Sequence, residues 1–197
     1  MRKFSRRTQI IVGFIVIIAV GYGIAKFLEA QNGVPPSFTV ARTQGAIIAQ
    51  TIVNNSNQST DELQQISKYD QEGDYKDALA STTALIAQSA QLRAQAVQLS
   101  QQVSQMTQDL SSINNTDAQQ AALESISSRL AVINELVTYS ADLNHLLTTL
   151  QSRFNGTYVP NSEVDGIVNQ INTDVNAINN FNAQAGQAMD KFDTIEK

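Results

Sequence analysis

The chain has one histidine, His145, three residues after Asp142. On a helix that spacing puts both side chains on one face, and an Asp-x-x-His pair of this kind is half of the ligand set that holds two metal ions inside some four-helix carboxylate proteins. The other half requires a second histidine and bridging glutamates, and only Glu135 stands at a compatible helical step. A solvated histidine and no metal centre are therefore expected. Cysteine is absent, which removes disulfides, thiolate metal sites and cysteine nucleophiles. Serines are plentiful, but no Gly-x-Ser-x-Gly elbow or glycine-rich oxyanion turn accompanies them, so nucleophilic catalysis is not expected. No phosphate-binding loop, dinucleotide fingerprint or calcium loop occurs, so no cofactor and no enzymatic activity are expected.

The other unusual side chains are uncharged amides. Between Ala78 and Gln108 the only charged residue is Arg93, while Gln88, Gln91, Gln95, Gln98, Gln102 and Gln105 recur at steps of three and four. Asn169, Asn172, Asn176 and Asn179 form a similar stripe nearer the C-terminus. Seam-flanking charges usually select a partner helix, so amides at these places imply weak electrostatic discrimination. The glutamine stripe is either a solvated face or a hydrogen-bonding partner face. Ser89, Asn144 and Asn182 fall within apolar seams, where single polar residues most often fix register. Asn155-Gly156-Thr157 matches a glycosylation acceptor formally and serves better as a helix stop and turn.

What must position these residues is set by how charge and greasy side chains divide along the 197 residues. Residues 1–30 hold five Lys/Arg against one acid, a balance of +4; the remainder holds eight against seventeen, or −9, and the two sum to the formal −5 of the whole. An acidic body offers no footprint for phosphates, so nucleic acid is not an expected partner. Arg2, Lys3, Arg6 and Arg7 precede an uncharged run from Ile10 to Ala25, in which Ile10, Ile11, Val12, Phe14, Ile15, Val16, Ile17, Ile18, Val20 and Ile24 carry the hydropathy. With Lys26 snorkelling, the run continues through Leu28 and is long enough to cross a hydrocarbon core of about 30 Å at about 1.5 Å per residue. The expectation is an N-terminal transmembrane anchor over residues 1–30, in contact with the lipid bilayer. Basic residues stay in the cytoplasm, which exports everything after Ala30. Gly23-Ile24-Ala25 keeps a cleavable signal peptide open, and then the body would be secreted or periplasmic.

Residues 31–37, with Pro35 and Pro36, read as a linker, and residues 38–197 as an extracytoplasmic helical bundle. Ala78, Thr82, Leu85, Ser89, Leu92, Ala96, Leu99, Val103, Met106, Leu110 and Ile113 follow one another at alternating steps of four and three, a sustained heptad seam. Such a period predicts one helix of about 55 Å packed at a shallow left-handed angle on its neighbours. After Asn114-Asn115, with Thr116 and Gln119 as a capping box, Leu123, Ile126, Leu130, Ile133 and Val137 form a seam that shifts by one to Leu136, Tyr139, Leu143, Leu146 and Leu150. Asn155-Gly156 stops that arm, Pro160 prevents resumption and Ser162 caps the last arm. That arm carries Val164, Val168, Ile171, Val175, Ile178, Ala185, Met189 and Phe192. Before these lies a pair broken at Asn54 to Ser59: Phe38, Ala41, Gly45, Ile48 and Ile52, then Leu63 and Ile66, restarted by a Ser59/Glu62 capping box and ended at Gly73, with Asp74 capping the next helix. The predicted fold is all-α: an N-terminal transmembrane helix, then an up-down-up-down bundle of four long arms with coiled-coil-like heptad packing.

Tyr69, Gly73, Asp74, Tyr75, Ala78 and Leu79 stand at spacings similar to the inter-helix turn of a tetratricopeptide repeat. The resemblance covers little more than ten residues, and no second copy follows at a period near 34. It is read as a plain helical hairpin. With no chemical group concentrated anywhere, the expected function is a non-enzymatic interaction or scaffold module of the cell envelope, contacting itself or another envelope protein. The alternative is an extracytoplasmic receptor for a small ligand, resembling the four-helix sensor domains of chemoreceptors.

Overall fold

The computed structural model describes residues 33–196. Within them lie four long helices: α1 (Pro36–Glu72), α2 (Tyr75–Asp109), α3 (Thr116–Phe154) and α4 (Asn161–Ile195). A short 3₁₀ turn, Leu110–Ser112, follows α2, and no strand occurs among the described residues. The proposed anchor residues, from Arg2 through Lys26, lie outside the described residues. Among the described residues no helix is long and apolar enough to cross a membrane.

Each helix ends for a local reason. Gly73, at φ +78°, closes α1 with a Schellman motif in which Asp74 N–H bonds to Tyr69 O and Gly73 N–H to Asp70 O. Asp74 then caps α2 by accepting from Asp77 N–H, as expected. Gly156, at φ +89°, repeats the motif at the end of α3, with Thr157 N–H on Ser152 O and Gly156 N–H on Arg153 O. Three expected starts differ. Asn115, not Thr116, caps α3, accepting from Asp117 and Ala118 N–H, while the Gln119 side chain reaches back to Leu110 O. Ser162 lies inside α4, which begins straight after Pro160. Pro36 opens α1 as its first residue, so the linker is two residues shorter than expected; a proline N–H is not missed at that position.

The expected break at Asn54 to Ser59 does not occur, because nothing there stops a helix. Ser59 and Thr60 donate to the carbonyls of Asn55 and Ser56 within the helix, and Glu62 accepts from Gln58 rather than forming a capping box. Ser56 and Ser59 are buried, and Asn55 donates across to Gln95 of α2. Small polar residues here make an interface, not a turn.

Consecutive helices pack side by side, α1 on α2, α2 on α3 and α3 on α4. The ring of Phe38 lies 5.5 Å from that of Phe192, and Arg42 binds Asp193, so α1 also meets α4. A Cβ on Gly33 would stand 3.5 Å from Glu196 Oε2 and 3.9 Å from Asn114 Nδ2, which gathers the start of α1, the α2–α3 turn and the end of α4 at one end. At the other end Arg153 ties α1 to α3 through Asp70 (3.3 Å) and reaches α4 through Asn161 (3.0 Å), with Tyr75 stacked on Phe154. The topology is up-down-up-down.

The core follows the heptads with one exception. All nine seam residues of α2 from Ala78 to Met106 are buried, as are the eight seam residues named on α4. On α3 the second seam, Leu136 to Leu150, is buried, but Leu123 and Leu130 of the first are 46% and 44% exposed. Ala118, Ala121, Ala122 and Ser125 face inward instead. These small residues let α3 approach α4 closely enough for Ser125 Oγ to donate to Ala185 O at 2.9 Å; two leucines there would wedge the helices apart.

Candidate functional site

Turning the first half of α3 this way has two consequences. Outside, Leu123 lines an open groove of about 630 Å³ with Gln120, Ser127, Gln187 and Ala188, and Glu124 and Lys191 stand 4.0 Å apart across it. Inside, Arg129 takes the place in the column Ala122, Arg129, Leu136, Leu143, Leu150 whose other members are all buried. Its Nε is buried with no acceptor. Burial lowers its pKa to about 10, with the nearby Arg42 guanidinium as the lesser cause. Arg42 itself donates to both oxygens of Asp193, one at 2.6 Å.

A second ionisable group is enclosed in the α3–α4 seam. Asp174 of α4 accepts from Gln170 Nε2 at 2.9 Å and faces Asp142 and Glu135 of α3. Its pKa is raised to about 6, first by burial and then by the two acidic neighbours, against the lowering effect of Gln170. Two further groups are perturbed. Burial pushes the Tyr139 phenol, which faces Ser56 across the bundle, up to about 12. It also raises the Asp70 carboxyl despite the opposing pull of Arg153.

The residues singled out in the sequence do not converge on a centre. His145 is exposed, and Asp142, three residues before it, is engaged with Asp174 across the seam. Among the described residues no three His, Cys, Asp or Glu side chains are grouped to hold a metal ion. Ser89 is buried and donates to Ile86 O, Asn144 is exposed and Asn182 is half-buried, so the three line no common cavity. The glutamine stripe divides in two. Gln88, Gln95 and Gln102, seven residues apart, are half-buried; Gln95 accepts from Asn55 of α1, and Gln102 packs where Gly45 lets α1 come close. Gln91 and Gln98 face solvent, and Gln105 donates to Asp109 on its own helix. On α4 Asn169 and Asn176 are exposed, while Asn172 and Asn179 are half-buried and engaged.

Arg129 and Asp174 were not anticipated, though each leaves a trace in the sequence. Each is a charge at a step of seven inside an apolar column: Ala122, Arg129, Leu136 on α3 and Ile167, Asp174, Phe181 on α4. At these two positions the expected seams pass one residue to the side, through Leu130 and Val175. Comparison with known proteins returns no match: no family model, no curated protein and no solved structure is significantly similar to this chain.

Proposed function

We propose that the chain is a non-enzymatic interaction or scaffold module of the cell envelope, held at the outer face of the cytoplasmic membrane by residues 1–30 in the lipid bilayer. The basic flank and uncharged run of the sequence support the anchor and its direction. The observation that carries the interaction role is the outward placing of Leu123 and Leu130, one heptad apart on α3, with Leu123 opening onto the α3–α4 groove. Two leucines at that spacing present a helix-sized apolar strip to a neighbour, either a second copy or another envelope protein. Between α1, α3 and α4 the void lined by Leu63, Ile66, Leu146, Leu150, Phe154 and Val164 measures about 10 Å³, room for no more than a water molecule. That favours a scaffold over a receptor for a small ligand.

The test is photo-crosslinking in intact cells at native expression, with the reactive residue placed in turn at Leu123, Leu130 and the solvent-facing control Asn176. Crosslinked species of higher mass from the two leucine positions, and not from the control, are expected. Monomer alone from all three positions would overturn the interaction role.

A further inference from the structure

The middle of the α3–α4 seam brings together side chains that repel one another unless a proton is present. Asp174 is 2% exposed, on the face that α4 turns to α3. One carboxylate oxygen accepts from Gln170 on the preceding turn, and the other is buried without a donor. Across the seam it meets the carboxyl of Asp142 within hydrogen-bonding reach, and Glu135 adds a second acidic group. Among the described residues the groups that act on it are Gln170, Asp142 and Glu135, none of them a cation; Arg153 is engaged with Asp70 and Arg42 with Asp193, at the two ends of the rod, and His145 is exposed on α3. Two ionised carboxylates are both acceptors, so a hydrogen bond between them exists only while one holds a proton.

We propose that Asp174 and Asp142 form a proton-operated latch, in which one proton shared between their carboxyls holds α4 against α3 and its release to solvent loosens the two helices there. The supporting physics is that of paired carboxyls in a dry site, where like charges close together cannot both ionise without cost. The Asp174 carboxyl titrates higher in the folded chain than in the unfolded one. The folded state therefore holds the proton through a range in which the unfolded state has lost it. The contribution is complete below the ordinary aspartate range and is lost as pH rises through about 6. The latch is closed in acid and slack at neutral pH.

The test compares thermal unfolding of the full chain in detergent micelles with that of Asp174→Asn, between pH 4.5 and 7.5. Asparagine keeps the shape of the protonated acid and cannot ionise. The gap between the two melting temperatures is expected to be smallest at pH 4.5 and to widen with pH, the variant standing above the parent by roughly 3 to 8 °C at pH 7.5. Asp142→Asn, on the less buried partner, should open a smaller pH-dependent gap of the same sign, because Asp174 stays buried and ionisable, and it serves if Asp174→Asn does not fold. A gap that stays constant with pH, or variants that melt at or below the parent at pH 7.5, would overturn the latch. Amide exchange gives an independent reading: in the parent, protection around residues 170–178, corrected for intrinsic rates, should fall from pH 5.5 to pH 7.5. Unchanged protection would also count against it.

Discussion

Replacing Arg129 by methionine is expected to stabilise the bundle, the opposite of what deleting a charged side chain from a packed interface usually does. Arg129 lies in a column of buried residues, its Nε has no acceptor, and the charged group that shifts it, Arg42, has the same sign. A guanidinium held near 10, against an ordinary value of about 12.5 or above, corresponds to a penalty of about 3 kcal/mol at about 1.4 kcal/mol per tenfold change in proton affinity. The residue is only half-buried, so solvent screening reduces this by about half. Methionine keeps most of the volume, follows the same path and makes no electrostatic demand. The expected gain is about 1–2 kcal/mol, or a rise in melting temperature of roughly 2 to 8 °C. Urea unfolding followed by circular dichroism measures it, with Arg129→Lys as a control that keeps the charge and should not gain. A loss of more than about 1 kcal/mol in the methionine variant would mean that Arg129 has a counter-charge, and the reasoning would be refuted.

Leu143→Ala, at a fully enclosed position, should cost about 2–5 kcal/mol, whereas Leu123→Ala on the groove should stay within about 0.5 kcal/mol; equal costs in chemical denaturation would mean that the rotation of α3 is misread. Gly73→Ala should cost about 1–2 kcal/mol through backbone strain alone, because φ is +78° and nothing lies within 4 Å of the added methyl; an unchanged unfolding midpoint would deny the left-handed stop. Arg153→Met should raise the Asp70 carboxyl further, since the guanidinium opposes the effect of burial there, and should destabilise the far end at neutral pH by about 1–2 kcal/mol. The Asp70 carboxyl resonance, followed by NMR against pH, would show that shift or its absence.

The helices and their order were legible because heptads survive in the sequence wherever the core is made of large side chains. The seam from Ala78 to Met106 is the clearest case, and Gly73, Asp74 and Gly156 mark their turns through backbone geometry that few other residues support. Legibility failed where small or polar residues hold the interface. Asn54 to Ser59 looks like a break because most of its hydroxyl and amide side chains are weak helix formers, yet Ser59 and the following Thr60 bond within the helix and Asn55 bonds across to Gln95. Leu123 and Leu130 attract a seam drawn by hydropathy, while α3 is in fact oriented by Ala118, Ala121, Ala122 and Ser125, whose contribution is closeness rather than area. The amide stripe on α2 could not be assigned to one role because it has two: heptad-spaced Gln88, Gln95 and Gln102 are half-buried, the last two against α1, and Gln91 and Gln98 face water. The enclosed charges were missed for a related reason. A seam traced through the greasiest residues passes beside Arg129 and Asp174, although a column followed strictly by sevens runs through both.

Four antiparallel helices bring the start of α1 and the end of α4 together, and the absence of native cysteine allows a direct check with paired spin labels. Labels introduced at Ser37 and Asp190 should give a narrow distance distribution below about 25 Å, and labels at Ser37 and Asn155 one near 50 Å, the length of an arm at about 1.5 Å per residue. A long or broad Ser37–Asp190 distance would contradict the bundle, and with it the seams, the groove and the latch built on them.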